Sequence, residues 1–110
     1  MRANERRKNA RVPLVVAVKH LKNRSPVLCQ SCDLSTLGMA LVLPHGSCLP
    51  DDRSTRLEFA LPGSNRTMAV EVIPVRQKMR GRFIVAGVMF KKVKAEALRK
   101  IEEYVELSAA

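Results

Sequence analysis

Short β-rich runs separated by turn residues make up most of this chain, and this pattern limits its possible folds more than any other feature. In one run Leu57, Phe59 and Leu61 alternate with their neighbours, which is the period of a half-buried strand. Turn residues at 62–65 and a glycine-containing basic segment at 76–82 predict turns between runs. Six such runs at hairpin spacing favour a small antiparallel barrel or sandwich; they span residues 13–18, 27–35, 38–44, 55–62, 67–75 and 83–90.

The last segment of the chain changes to a helical period. Leu98, Ile101 and Val105 recur at intervals of three and four residues, with Tyr104 beside them and no Pro or Gly in between. This pattern predicts one helix over about residues 93–108. With one apolar face to bury, the helix is expected to cap an open end of the barrel.

The chain has the length of a single domain, 110 residues. Its first eleven residues carry five basic side chains and almost no apolar ones, which is typical of a solvated, mobile segment. We therefore expect a flexible basic arm over residues 1–12 and one barrel domain with its helix over residues 13–110.

The charge balance predicts anionic partners. Twenty Lys and Arg residues against ten Asp and Glu residues give a net charge of +10. A nucleic acid, a nucleotide, a membrane surface or an acidic protein would satisfy this excess, and so would a basic surface that only aids solubility. The charge alone does not choose among these partners.

Targeting signals and metal motifs are weak in this sequence. The longest apolar stretch, residues 12–18, falls far short of the roughly 20 residues of a membrane span and lacks a cleavage site, so we expect a cytoplasmic protein. Three cysteines in such a protein predict reduced thiols whose roles stay open. Cys29, Cys32, His45 and Cys48 have the spacing of a zinc site. However, residues three apart on a strand point to opposite faces, so no metal site is predicted.

The sequence contains no strong signal of catalysis. It lacks the glycine-rich phosphate loops, the metalloprotease helix motif and the nucleophile elbow of common enzymes. The two histidines, His20 and His45, fall in different elements. Asp51 and Asp52 are adjacent in a turn-like cluster and point apart. We therefore predict a binding protein rather than an enzyme.

Two short motifs carry the most specific signal. RKNAR places Arg7 four residues before Arg11, and DLSTLG places Asp33, Ser35 and Gly38 where one predicted strand turns into the next. Each motif alone is common chemistry of loops and turns. Together, in this order and before a barrel pattern, they resemble the PilZ domain family, whose members carry RxxxR near the start and [D/N]xSxxG after the first strand. The resemblance implies a six-stranded antiparallel β-barrel closed by one α-helix, which binds the bacterial second messenger cyclic di-GMP.

The resemblance also implies a role for each residue of the two motifs. Arg7 and Arg11 would contact guanine and phosphate, because the guanidinium fork matches both. Asp33 would accept hydrogen bonds from the guanine N1 and N2 donors, and Ser35 would bond a remaining polar atom of the base edge. Gly38 would let the turn form without a Cβ clash.

Further expectations follow from the same resemblance. Arg6, directly before RxxxR, favours an intercalated dimer of the ligand. Arg76 is the nearest candidate for an additional contact on a later strand, although it equally fits a solvated charge at a strand end. Ligand binding is expected to order the basic arm and to signal to a downstream partner protein. Oligomeric state stays open.

Two alternative functions stay in view. A general single-stranded nucleic-acid-binding barrel would suit the charge, but such proteins stack bases on aromatic side chains. Aromatic residues are only 4% of this chain, and the phenylalanines lie in strand-core patterns, so no nucleic acid is expected as partner; these residues are Phe59, Phe83, Phe90 and Tyr104. A PilZ domain that serves only as an interaction adaptor is the other alternative, and the intact motifs argue against it.

Overall fold

Six antiparallel strands of the computed structural model close into a barrel. The structure describes residues 10–21, 26–44, 46–50 and 53–109. Its elements are β1 (Val12–Pro13), β2 (Ala17–Leu21), β3 (Val27–Leu34), β4 (Gly38–Pro44), β5 (Thr55–Phe59), β6 (Met68–Arg80), β7 (Phe83–Lys92) and α1 (Ala95–Ala109). The ring runs β3-β2-β5-β6-β7-β4 and closes where β4 pairs with β3. The predicted six-stranded antiparallel barrel with a C-terminal helix is confirmed.

One strand more than predicted is present, because the expected strand at 13–18 is divided into β1 and β2. Both parts pair with β3, and the break between them lies opposite Ser31. The buried Ser31 hydroxyl donates to the Leu14 carbonyl and accepts from the Val16 amide at 3.0 Å. A side chain thus replaces a rung of the backbone ladder, which interrupts the strand without leaving its polar groups unpaired.

The barrel interior is filled by the inward side chains of the strands. Leu57, Phe59 and Leu61 are buried as their alternation predicted. The expectation that every phenylalanine is a core residue is wrong for Phe83, which is 53% exposed. Phe83 is the first residue after a tight turn and its side chain lies on the outer face, beside Arg80 in the register.

The predicted turn at 76–82 is also wrong, because β6 continues to Arg80. Residues 76–80 pair with β7, and the connection is a two-residue turn at Gly81 and Arg82. Gly81 adopts a φ of +60°, which glycine reaches without the cost of a Cβ. The hairpin of β6 and β7 is therefore longer than the sequence pattern predicted.

The C-terminal helix packs its apolar face onto the barrel. Ile101 and Val105 are buried in the same core cluster as the strands. Tyr104 is partly buried, and its hydroxyl donates to the Pro13 carbonyl of β1 at 3.4 Å. The helix is thus in contact with the segment that follows RxxxR. None of the helices in the described part of the chain has the length and apolar character needed to cross a membrane.

Candidate ligand-binding site

The two sequence motifs meet at an ion pair. Arg11 Nη1 donates to Asp33 Oδ1 at 2.7 Å across 22 residues of sequence. Backbone pairing of β1 with β3 brings them together, since Pro13 lies opposite Asp33. The Arg11 side chain is 53% exposed and the Asp33 side chain 31% exposed, so a ligand can reach both.

Arg6 and Arg7, the other arginines of the predicted site, lie outside the described residues. In the sequence Arg7 precedes Arg11 by four residues, and Arg11 is held by Asp33. The segment 10–12 at the end of the predicted arm lies against the barrel, with Val12 buried.

Ser35 organises the turn of DLSTLG. Its hydroxyl accepts hydrogen bonds from the backbone N–H groups of Leu37 and Gly38 at 3.1 and 3.2 Å, and its own N–H donates to the Gly38 carbonyl at 2.9 Å. The residue is only 3% exposed. These bonds fix the turn that follows Asp33, so Ser35 shapes the site whether or not it also contacts a ligand. Direct contact with a base edge stays a prediction.

Gly38 is required by close packing rather than by a special φ. A Cβ at this position would lie 2.0 Å from the carbonyl oxygen of Val88. Gly38 faces Met89 in the β4–β7 register, and the Leu37 carbonyl accepts from the Phe90 amide at 2.8 Å. The glycine therefore lets the DLSTLG turn lie directly on β7.

A β-bulge aims Asp33 outward. The register of β3 against β4 shifts between Ser31 and Asp33, so Cys32 is the extra residue. Ser31 is buried, and without the bulge Asp33 would have the same inward orientation because side chains alternate. With the bulge, Asp33 pairs with Ala40 on the outer face and Leu34 returns to the core.

A second bulge turns the Arg76 side chain to the outer face of the barrel. The register of β6 against β7 shifts between Pro74 and Arg76, and Val75 is the extra residue. Pro74 has no N–H to donate to the ladder, and prolines inside sheets are found at such bulges. Pro74 is buried, so regular alternation would turn Arg76 inward; instead it is exposed and pairs with Gly87.

The two bulges place opposite charges at the ends of one row across four strands. The register runs from Asp33 on β3 to Ala40 on β4, Gly87 on β7 and Arg76 on β6. Three strand spacings give a span of about 14 Å. A Cβ on Gly87 would lie 3.9 Å from Arg76 Nε, so the arginine side chain extends along this row. The row is a flat floor of small residues with a carboxylate at one end and a guanidinium at the other.

Ala40 and Gly87 lie between Asp33 and Arg76 in this row, and the sequence reasoning did not single them out. Each is a small residue inside an otherwise bulky strand run, GMALVLP and FIVAGVMF. An interior glycine in a strand signals a bulge or a place where another group approaches closely. Gly87 gave this signal in the sequence, but only the strand register shows that it lies in the same row as Asp33.

The cysteines form a graded set from core to surface. Cys29 is buried, Cys32 at the bulge is partly exposed and Cys48 is exposed, and all three are free thiols. Burial raises the pKa of Cys29 to about 11. Burial, with a smaller contribution from the Asp33 charge, raises the pKa of Cys32. Within the described residues, which exclude His45, no three potential metal ligands lie together.

Comparison with protein families gives a match to the model of the PilZ domain over residues 5–107. The chain belongs to the PilZ domain family. PilZ structures also share its fold: the inhibitor of motility MotI/DgrA of Bacillus subtilis superposes with a TM-score of 0.79 at 20% identity, over 89% of this chain and 48% of that one. This chain therefore spans about half the length of the Bacillus protein.

Two further PilZ structures contain cyclic di-GMP. The PilZ domain of YcgR from Escherichia coli, with cyclic di-GMP, gives a TM-score of 0.71 at 16% identity over 94% of this chain and 92% of that chain. PlzA of Borreliella burgdorferi, in complex with cyclic di-GMP, gives a TM-score of 0.56 at 9% identity over 99% of this chain and 49% of that chain. Comparison with curated proteins found no match. At these identities the likeness concerns the fold of the PilZ domain.

Proposed function

We propose that this PilZ domain is a receptor that binds cyclic di-GMP on the outer face of β3, β4, β7 and β6 and performs no catalysis. The observation that carries the proposal is the 2.7 Å contact between Arg11 and Asp33, one residue from each of the two motifs. Membership of the family supports it, as do the complexes of YcgR and PlzA with this ligand.

The chemistry of the two side chains suits a guanine nucleotide. Arg11 offers a planar fork of N–H donors for a phosphate or for guanine O6 and N7. Asp33 offers acceptors for the guanine N1 and N2 donors, which an arginine cannot supply. In this proposal the ligand enters between them, and each side chain exchanges its partner for a group of the ligand. Arg7 supplies a second guanidinium from the arm.

The flat row beside Asp33 is proposed as the floor under the ligand. Ala40 and Gly87 raise no side chain that would obstruct a ring lying on the strands, and Arg76 lies at the far end. The span of about 14 Å fits a dinucleotide better than a single phosphate. We therefore keep Arg76 as a contact residue, and Arg6 as the residue that favours an intercalated ligand dimer.

Signalling is proposed to pass through the arm. Ligand binding at Arg7 and Arg11 would order the arm against the barrel, and a downstream partner protein would recognise the new surface. Besides β3, α1 contacts this segment, since the Tyr104 hydroxyl donates to the Pro13 carbonyl. Hydrogen exchange of residues 1–12 should slow on ligand addition, and unchanged exchange despite binding would contradict this part.

Calorimetric titration tests the receptor function. Cyclic di-GMP, GTP and a short single-stranded RNA are compared on wild type, Arg7→Ala and Arg11→Ala. Arg66→Ala is the matched control, because it removes the same charge from an exposed loop away from the site. We expect selective binding of cyclic di-GMP that the first two variants weaken and the control retains.

The same titration distinguishes the alternatives. A stoichiometry of two ligands that falls to one in Arg6→Ala supports the dimer. Salt-sensitive RNA binding without binding of the dinucleotide would instead support a general nucleic-acid-binding barrel. No binding of either would leave an interaction adaptor as the function of this PilZ domain.

A further inference from the structure

The tip of the β6–β7 hairpin, residues 78–83, is an exposed element that the proposed ligand site does not use. Each of its six residues is exposed, from Lys78 through the turn to Phe83. The only inter-strand partners of residues 78–80 on β7 are residues 83–85, close to the turn itself.

The tip carries large apolar side chains on both of its faces. Phe83 is opposite Arg80, and Met79 is opposite Ile84 one position further along. Because side chains alternate along a strand, Phe83 and Met79 point to opposite sides of the hairpin. Phe83 is 53% exposed and Met79 is 62% exposed. Scattered single apolar residues are ordinary on a surface, but here two lie within two residues of the same turn.

Cations surround these two residues. Lys78, Arg80 and Arg82 all belong to the tip and are exposed. The whole segment 76–94 contains seven Lys or Arg residues and no Asp or Glu. An anionic surface can therefore approach the tip without meeting a negative charge from segment 76–94.

We propose that this tip inserts into the headgroup region of an anionic lipid bilayer. Lys78, Arg80 and Arg82 bind the lipid phosphates, while Met79 and Phe83 enter the boundary between headgroups and acyl chains. The placement of apolar residues on both faces favours lipid over an acidic protein. A folded protein surface covers one face of a hairpin, whereas a bilayer interface surrounds an inserted tip. This inference is independent of the cyclic di-GMP site.

Vesicle sedimentation tests the cations. Wild type is mixed with vesicles of phosphatidylglycerol and phosphatidylcholine, or of phosphatidylcholine alone. The triple variant K78Q/R80Q/R82Q is compared with R66Q/K94Q/R99Q, which removes three exposed charges outside the tip. We expect binding only to the anionic vesicles, a loss of about 100-fold in the tip variant and a much smaller loss in the control. Equal losses in both variants, or binding to neither vesicle, would overturn the proposal.

Fluorescence tests the insertion itself. The chain contains no tryptophan, so Phe83→Trp introduces a single reporter at the tip, and Leu107→Trp introduces one on α1 as the control. With anionic vesicles we expect a blue shift for Phe83→Trp and quenching by lipids with brominated acyl chains, and neither effect for Leu107→Trp. An unchanged Phe83→Trp spectrum in a sedimenting protein, or preferential binding of single-stranded RNA or an acidic peptide over vesicles, would overturn insertion.

Discussion

Arg11 Nη1 lies 2.7 Å from Asp33 Oδ1, and this contact anchors the end of the RxxxR motif to β3. Both side chains are partly exposed, and exposed ion pairs of this kind contribute only about 0–1 kcal/mol to stability. The pair is therefore weak enough for a ligand to replace. It also holds the backbone of the arginine segment close to the floor of the proposed site before binding.

Arg11→Ala should separate binding from stability. We expect the free energy of unfolding to change by less than about 1 kcal/mol. The affinity for cyclic di-GMP should fall by about 10- to 100-fold, because a charge-assisted hydrogen bond is lost. Thermal unfolding and calorimetry measure the two effects. Arg11→Lys retains the charge without the planar fork, so its affinity should lie between those of wild type and Arg11→Ala. Full affinity in Arg11→Ala would exclude Arg11 from the site.

Ser35→Ala should destabilise the fold and distort the turn after Asp33. The Gly38 N–H would lose its acceptor in a buried place and the Leu37 N–H in a partly buried one, at a cost of about 1–3 kcal/mol. Ser64→Ala is the control, since the Ser64 hydroxyl accepts from the Arg66 amide in an exposed turn where water can replace it. Denaturant unfolding of both variants measures the difference. Equal losses would mean that burial of the Ser35 turn is unimportant.

Two glycine substitutions should affect different properties, Gly38→Ala the stability of the fold and Gly87→Ala the binding of the ligand. In Gly38→Ala the new Cβ would meet the Val88 carbonyl oxygen at 2.0 Å, so we expect a loss of about 1–3 kcal/mol or more in unfolding free energy. In Gly87→Ala the nearest atoms are 3.8 Å away or more, and stability should be retained. The methyl group would nevertheless rise from the proposed floor and weaken binding of cyclic di-GMP. If Gly87→Ala binds with wild-type affinity in calorimetry, the ligand does not lie on this row.

Cys29 should make stability depend on pH in the alkaline range. Burial raises the pKa of its thiol from the ordinary 9.0 to about 11 in the folded protein. The folded state therefore holds the proton more tightly, and this contribution is complete below pH 9 and lost as the pH rises to about 11. The stability of wild type relative to Cys29→Ala should decrease over that range in urea titrations. A constant difference would show that the Cys29 thiol is already solvated in the folded state.

Much of the fold could be predicted because it follows from local patterns. The alternation of Leu57, Phe59 and Leu61 and the helical period of Ile101 and Val105 each report which face is buried. These are properties of short segments, and the fold preserves them. The resemblance carried by the two motifs also implied one site for Arg11 and Asp33, and the structure brings these two side chains into contact.

The outward orientation of the Asp33 and Arg76 side chains could not be predicted in the same way. Each is turned outward by one extra residue, Cys32 or Val75, and a bulge is visible only in the pairing of two strands. Simple alternation from the buried Ser31 or Pro74 gives the wrong face. The long β6–β7 hairpin was missed for a related reason, since its basic residues are typical of a loop and only the pairing with β7 makes them strand.

The interruption of the first strand opposite Ser31 divides the molecule into two parts that are held differently. On one side lies a ring of six strands, each held along both edges, which can open only by breaking the barrel. On the other side lies β1, whose two residues pair with β3 and contact α1 through the Pro13 carbonyl. We therefore expect local opening of this two-residue strand to require less free energy than opening of the ring. Such opening would free the segment that carries Arg11 while the ring stays folded.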